Sequence, residues 1–336
     1  MSLPADIRHA LVTGGLGFIG STLSERLLSL GLRVTVVDDE SSNVIEPSEL
    51  TSRFPNAVYV KEEISKFLLT NSESFACDLV VHAASYVGAA GVLPHAGTMA
   101  QHMINATGCV IQFCIERRAR LCYFSSSEVY GKSGTLSEST DIRVPPYFNA
   151  RIEYALAKLT GEAMIANSCH KGLRATILRP FNIVGPRQSR VGGFVLPTFV
   201  QQALGNKRLT VFGTGLQKRA FMDVEDLADL VETCIRMQGT RLLTVNAGNS
   251  LNTVTIGDLA RQVVEHLKSR STIESVDPRS IYGPRYMEAE SVEKMCDISV
   301  AQSLGWTPKR DLERIVRRAG DFYQTYRDTG GADARD

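Results

Sequence analysis

The amino-acid sequence predicts an α/β fold: a doubly wound parallel sheet carrying a smaller C-terminal lobe. Three features support this. Through the first half, short β-branched runs alternate with longer helical patterns, the order of βαβ units whose sheet is covered on both faces. A glycine-rich turn, TGGLGFIG, joins the first of those runs directly to the first helical pattern. Beyond Asn182 the rhythm loosens, and Gly185-Pro186, Gly192-Gly193, Gly205, Gly213 and Gly215 punctuate shorter segments. Residues 1–180 are therefore read as the sheet domain, joined by a further strand and helix from about 220–250. Residues 181–330 make up most of the lobe.

Taken in order, the expected strands are His9–Thr13, Arg33–Asp38, Ala57–Val60, Leu79–Ala83, Leu121–Ser125 and Ala175–Arg179. Each is a short apolar run, too brief for a buried helix. The expected helices are Phe18–Leu30, Thr98–Glu116 and Arg151–His170, followed by patterns at 223–237, 255–268 and 311–326. With 336 residues, 43% of them hydrophobic, the chain can bury a large core. Its 37 basic and 36 acidic residues nearly cancel. No global field draws nucleic acid or an anionic membrane, so an anionic ligand must be held by local groups. No apolar stretch approaches a membrane span. The opening MSLPADIRHALVTGG lacks a charged leader with an apolar segment behind it, so no secretory signal is expected. Seven scattered cysteines, odd in number and without a CxxC pair, read as reduced core residues of a cytoplasmic protein. No metal site is expected, and the final TGGADARD reads as a frayed end.

Gly14, Gly17 and Gly20 of the turn take GxxGxxG spacing, with Phe18 and Ile19 opening the helix between the last two. The first glycine permits a tight turn, the second lets a pyrophosphate approach the backbone, and the third lets helix and strand pack closely. The helix N-terminus is left free for an anion. VTVVDDE then sets Asp38 and Asp39 at the end of the second strand. A carboxylate there accepts hydrogen bonds from the adenosine ribose and repels a 2′-phosphate. The cofactor is therefore read as NAD on a Rossmann domain, with Asp38 the better of the two acids. In RIEYALAKLTGE, Tyr154 and Lys158 stand four apart and share one helix face. A lysine ammonium beside a phenol favours phenolate, which can take a proton from a sugar hydroxyl while hydride leaves the same carbon. On spacing alone the pair equally describes an ordinary amphipathic helix. SSSEVYG, residues 125–131, adds three hydroxyls and a carboxylate where a parallel strand surfaces.

TGGLGFIG, HAAS (82–85), SSSEVYG, YALAK and LRPFNIVGPRQ, in that order, resemble the extended short-chain dehydrogenase/reductase family. More narrowly, they are similar to its nucleotide-sugar epimerase, dehydratase and decarboxylase branch, and the match runs from about residue 8 to residue 325. The resemblance makes Tyr154 the base, Lys158 its partner and a ligand of the nicotinamide ribose, and Ser126 the hydroxyl that holds the substrate. It puts His82, Ala83 and Ala84 against the cofactor and Asn105 in the helix beneath the active site. For His82, a satisfied core histidine is an equal reading. Asn182 is then the asparagine that meets the sugar or diphosphate, Val211 and Phe212 flank the base, and Arg219 meets the pyrophosphate. Arg suits that task because its planar fork grips two phosphate oxygens. Where relatives carry an arginine and then a Pro-Asp pair, this chain has Lys294 and Cys296.

Every reaction of the branch begins with oxidation at C4. Epimerisation then needs only hydroxyls and a small residue beside the tyrosine, and Ser126 and Ser127 supply them. The expected function is thus an NAD-dependent 4-epimerase of a UDP-hexose or UDP-hexuronate, with Tyr154 as base. Arg187, Arg190 and Lys294 favour an acidic sugar. The alternative is a UDP-glucuronate decarboxylase or an NDP-sugar 4,6-dehydratase using Glu128, a residue that pairing with a nearby cation would equally explain. Lys294 in place of arginine weakens decarboxylation. A non-catalytic NAD-sensing protein, or an oxidoreductase of a steroid or flavonoid alcohol, ranks lower. The long helices Thr98–Glu116 and Arg151–His170 correspond to those that pair across a homodimer in the family.

Overall fold

The computed structural model describes residues 4–328 apart from 72, 132–133, 191, 238 and 284–292. The terminal TGGADARD lies outside the described residues. The chain first alternates β1 (His9–Thr13), α1 (Phe18–Ser29), β2 (Arg33–Asp38), α2 (Pro47–Arg53), β3 (Ala57–Lys61), α3 (Ile64–Asn71), β4 (Leu79–His82), α4 (Met99–Arg117) and β5 (Arg120–Phe124). There follow β6 (Gly134–Leu136), α5 (Ala150–Ser168), β7 (Arg174–Pro180), β8 (Asn182–Val184), α6 (Val195–Leu204), β9 (Leu209–Phe212), β10 (Lys218–Asp223), α7 (Val224–Arg236) and β11 (Leu242–Ala247). The last elements are β12 (Thr253–Thr255), α8 (Ile256–His266), β13 (Ile273–Val276), α9 (Arg279–Tyr282), β14 (Glu293–Cys296), α10 (Ser299–Ser303) and α11 (Leu312–Asp328).

Seven parallel strands form the central sheet in the order β11-β7-β5-β4-β1-β2-β3. This is the Rossmann-like arrangement. Its inner strands β1, β2, β4 and β5 are buried on both faces, which is why they read as continuous apolar runs rather than alternating ones. Along β1, Ala10 and Val12 enter one core cluster while Leu11 enters the other. The strand order reverses beside β1, which pairs with β2 on one side and β4 on the other. Open α/β sheets bind ligands in the crevice at that switch point, beyond the carboxyl ends of the strands.

A second sheet runs β12-β10-β14-β6, with β8 joined to β10. Over it, α6, α8 and α11 close a third core around Phe199, Phe221, Leu259 and Ile315. The chain crosses between the two layers more often than periodicity indicates. β6 leaves the first half to pair with β14, and β11 returns to the edge of the central sheet beside β7. β6, β8 and β12 are three residues each, too short for a period to register. Their crossings bring β14 up against the turn that leaves β5.

Candidate active site

At the end of β1, Gly14 has φ +65°, and a Cβ there would meet the Ala84 backbone at 2.8 Å. A Cβ on Gly20 would lie 2.0 Å from the Gly14 carbonyl oxygen, so only glycine lets α1 close onto the turn. Gly17 begins α1 without a side-chain cap, and its first turn carries no acid. The early N–H groups, from Phe18 and Ile19 onward, therefore face outward with the positive end of the helix dipole, a fit for a diphosphate. Asp38 fastens this turn to β2: its carboxylate accepts from the Leu16 N–H at 2.9 Å and the Glu40 N–H at 2.8 Å. Burial raises its pKa, while those two N–H groups pull it down. A carboxylate has about four lone-pair positions, so Asp38 retains acceptor capacity for a ribose. Asp39 is exposed and caps Ser41 instead.

His82 ends β4 as a buried polar group. Its Nδ1 lies 2.8 Å from the Thr13 hydroxyl, which also accepts from the Ala84 N–H at 3.1 Å. Burial, and then the Lys158 charge, lowers its pKa to about 3, so the ring is neutral. Ala83 donates its N–H to the Thr13 carbonyl, which ties the HAAS turn to β1.

Tyr154 and Lys158 project from α5, whose start is set by Asn149 accepting from the Ile152 N–H at 3.0 Å. The Lys158 ammonium lies 5.9 Å from the Tyr154 ring centroid and donates to the Phe124 carbonyl at 2.6 Å. Ser126 lies two residues past the end of β5, and its hydroxyl accepts from the Glu128 N–H at 3.1 Å. The chain thus brings phenol, ammonium and hydroxyl to one place. Their electrostatics differ from the sequence expectation. Burial pushes the Tyr154 phenol up to about 12, against hydrogen bonding from Ser126 and Ser85, with Glu128 adding to the rise. Burial also lowers Lys158 to about 7, with Glu162 opposing. In the chain alone, desolvation sets the direction of both shifts, against the charged form of each group.

Glu128 stands in the short turn Ser127–Tyr130, with Ser127 buried at its start. One carboxylate oxygen accepts from Lys294 on β14 at 2.8 Å and the other from Arg151 at 3.1 Å. Burial would raise its pKa, but the charges of Lys294 and Arg151 override this and hold the carboxyl well below the usual range. Lys294 is itself buried, and desolvation lowers its pKa against the opposing charge of Glu128. Arg151 escaped the sequence reading. The signal was there: it precedes Tyr154 by three positions, so the two share a helix face.

Elsewhere, Asn182 on β8 donates to the Ala220 carbonyl at 3.2 Å. Arg219 on β10 is half-buried, donates to the Lys218 carbonyl at 2.7 Å, and adds positive charge near Lys294. Val211 is buried on β9, and the neighbouring Phe212 ring stands edge-on to Tyr282 at 5.9 Å. The Arg190 carbonyl accepts from Gly193 in the loop after β8. Two expectations need correction. The Arg187 guanidinium is taken by Glu25 of α1 at 3.0 Å and does not join the Lys294 cluster. Asn105 lies on the exposed face of α4, because the helix turns Met103, Thr107, Val110 and Ile111 inward at 3.6-residue spacing. Among the described residues no three His, Cys, Asp or Glu side chains gather as metal ligands. A cavity of about 450 Å³ lined by Asp6, Arg120 and Arg174 opens at the opposite ends of the strands and contains none of these groups.

The sheet, the glycine turn and the grouping of Tyr154, Lys158 and Ser126 define an extended short-chain dehydrogenase/reductase. The chain belongs to the NAD dependent epimerase/dehydratase family, whose model matches residues 10–248. It is 30% identical to UDP-N-acetyl-alpha-D-glucosaminuronate decarboxylase of Bacillus cytotoxicus over 82% of this chain and 85% of that protein. It is 28% identical to UDP-D-apiose/UDP-D-xylose synthase 1 of Arabidopsis thaliana, over 93% and 90% of the two chains. Its fold is like that of UDP-glucuronic acid 4-epimerase from Bacillus cereus, solved with UDP-glucuronic acid and NAD. There the TM-score is 0.77 at 23% identity, covering 94% of this chain and 99% of the other.

Proposed function

We propose that the chain acts on a UDP-hexuronate, oxidising it transiently at C4 and then removing its C6 carboxylate. One observation carries this reading: Glu128 is shared between Lys294 and Arg151, so one carboxylate faces two cations within reach of the Tyr154 field. A sugar carboxylate entering that cluster would accept from the same two cations as Glu128, and a neutral hexose gains nothing from them. At the sequence level Lys294 counted against decarboxylation, because lysine lacks the fork of arginine. Arg151 supplies the fork from α5. The decarboxylase activity of the Bacillus cytotoxicus relative agrees with this reading.

Gly14, Gly17, Phe18, Ile19, Gly20, Asp38, Ala83 and Ala84 would hold NAD, with Asp39 at the rim. Bound there, NAD+ would supply reversible hydride acceptance for C4. Tyr154 takes the C4 hydroxyl proton, with Ser126 bridging phenol and sugar and Lys158 holding charge beneath them. The C4 ketone then makes the C6 carboxylate a β-keto acid anion. Breaking the C5–C6 bond releases carbon dioxide and leaves the electron pair in the enolate of that ketone. As the sugar carboxylate competes for Lys294 and Arg151, Glu128 loses the charges that keep it ionised. It then takes up a proton for delivery to C5. Asn182, Arg190, Val211, Phe212 and Arg219 belong to the diphosphate and base side of the same crevice, where the UDP moiety would lie.

A second reading, 4-epimerisation of the same uronate, has its own support. Held ionised by two cations, Glu128 has no proton to give, and the hydroxyls of Ser126 and Ser127 suffice for hydride return to the other face. Incubation with NAD+ and UDP-glucuronate, followed by NMR, separates the two. Decarboxylation gives a UDP-pentose and carbon dioxide, and a C4 epimer as sole product would refute it.

The reading includes a homodimer through α4 and α5, which already pack on each other within the chain. A monomer in sedimentation at assay concentration would remove that part. Seven free cysteines, five of them buried, suit a reducing cytoplasm.

A further inference from the structure

Beneath the site runs a polar network that the chemistry above does not use. The Arg179 guanidinium on β7 grips Glu162 with two bonds, Nε to Oε1 at 2.9 Å and Nη2 to Oε2 at 2.6 Å. Glu162 lies one helical turn beyond Lys158 on α5 and also accepts from the Ser125 hydroxyl at 2.5 Å. Through Nη1, Arg179 donates to the Tyr130 hydroxyl at 3.1 Å. Tyr130 passes its own proton to Asn246 Oδ1 at 2.6 Å. The Asn246 amide in turn donates to the Leu136 carbonyl at 2.9 Å and the Asp297 carbonyl at 3.0 Å. All five side chains are buried, Tyr130 and Asn246 completely.

Each end of this network reaches one half of the site. Tyr130 closes the turn that bears Glu128. Leu136 is the last residue of β6 to pair with β14, the strand that carries Lys294, and Asp297 directly follows that strand. Glu162 is fixed on the helix that carries Tyr154 and Lys158. Buried charges and amides are costly, and apolar side chains of similar volume would often be neutral or more stable. What such a network supplies is registry between the elements it ties. We infer that Tyr130, Asn246 and Arg179 are positioning residues, which hold the carboxylate-handling pair Glu128–Lys294 in register with the proton-transfer pair Tyr154–Lys158. This rests on the decarboxylase reading for its chemistry and on the hydrogen bonds of the network alone for its structure.

Tyr130→Phe removes one oxygen and keeps the ring against Phe181. Hydrogen exchange read by mass spectrometry should show residues 127–131 and 293–296 losing protection together. With UDP-glucuronate, the reduced-nicotinamide absorbance should still rise at close to the parental rate. Carbon dioxide release should fall roughly tenfold to a hundredfold, the scale of misplacing a group by about 1 Å, so the reduced band accumulates. Arg179→Lys, which keeps the charge and loses the fork, should reproduce this split and serves if Tyr130→Phe fails to fold. Unchanged exchange in both segments, or oxidation and carbon dioxide release falling by the same factor, overturns the inference. If the parental protein releases no carbon dioxide, the proposed function fails instead, and the exchange result alone decides the network.

Discussion

Lys158 is buried at a cost to its charged form. Burial lowers its pKa to about 7, below the ordinary lysine value of 10.5 that the unfolded chain restores. The sign follows: between those values the unfolded state binds more protons, so this group's contribution to stability rises with pH across that window and its penalty is complete below it. Lys158→Met should therefore gain more stability near pH 6 than near pH 10, read as denaturation midpoints at the two values. An equal shift at both would mean that Lys158 is not desolvated as described. At this scale the sequence was informative where spacing determines geometry. Tyr154 and Lys158 four apart on a helix, and Ser126 and Glu128 just past a strand, are brought together by local structure alone. Arg187 and Arg190 were read from position in a loop, where no period fixes direction, and Glu25 of a distant helix takes Arg187. The Glu128–Lys294 pair spans 166 positions, and only the crossing of β14 brings it together.

At the scale of elements, α1 and its glycine turn act as one part. Gly20→Ala sets a methyl against the Gly14 carbonyl oxygen, contact that the backbone must move to relieve. The cost should be about 2 kcal/mol in stability, typical of overpacking, with a larger loss in NAD+ affinity because the anion-binding N–H groups shift. Calorimetric titration checks this, and unaltered affinity would place the diphosphate elsewhere. The six strands expected in the first half all formed, two with the expected bounds and the others with ends moved by one residue, because parallel strands inside the sheet leave unbroken apolar runs. β6, β8, β12 and β14 were not legible. They are three or four residues long, and they are defined by partners far away in sequence rather than by any local pattern.

For the whole molecule, the decisive feature is how the two sheets meet. The central sheet carries the glycine turn at its β1–β4 switch point and sets Ser126 past the end of β5, near Tyr154 and Lys158 on α5. The smaller sheet delivers Lys294 to Glu128. Family membership was readable from five ordered motifs, whereas the choice among reactions depended on this meeting of layers. In the proposed reading a sugar carboxylate competes with Glu128 for Arg151 and Lys294, and that is the central claim. Its most direct measurement uses UDP-glucuronate labelled with 13C at C6, followed to completion with NAD+. The account predicts that the label leaves as carbon dioxide in step with UDP-pentose formation, and that Lys294→Met strongly slows the release. Label retained in a hexuronate, or release unaffected by Lys294→Met, would contradict it.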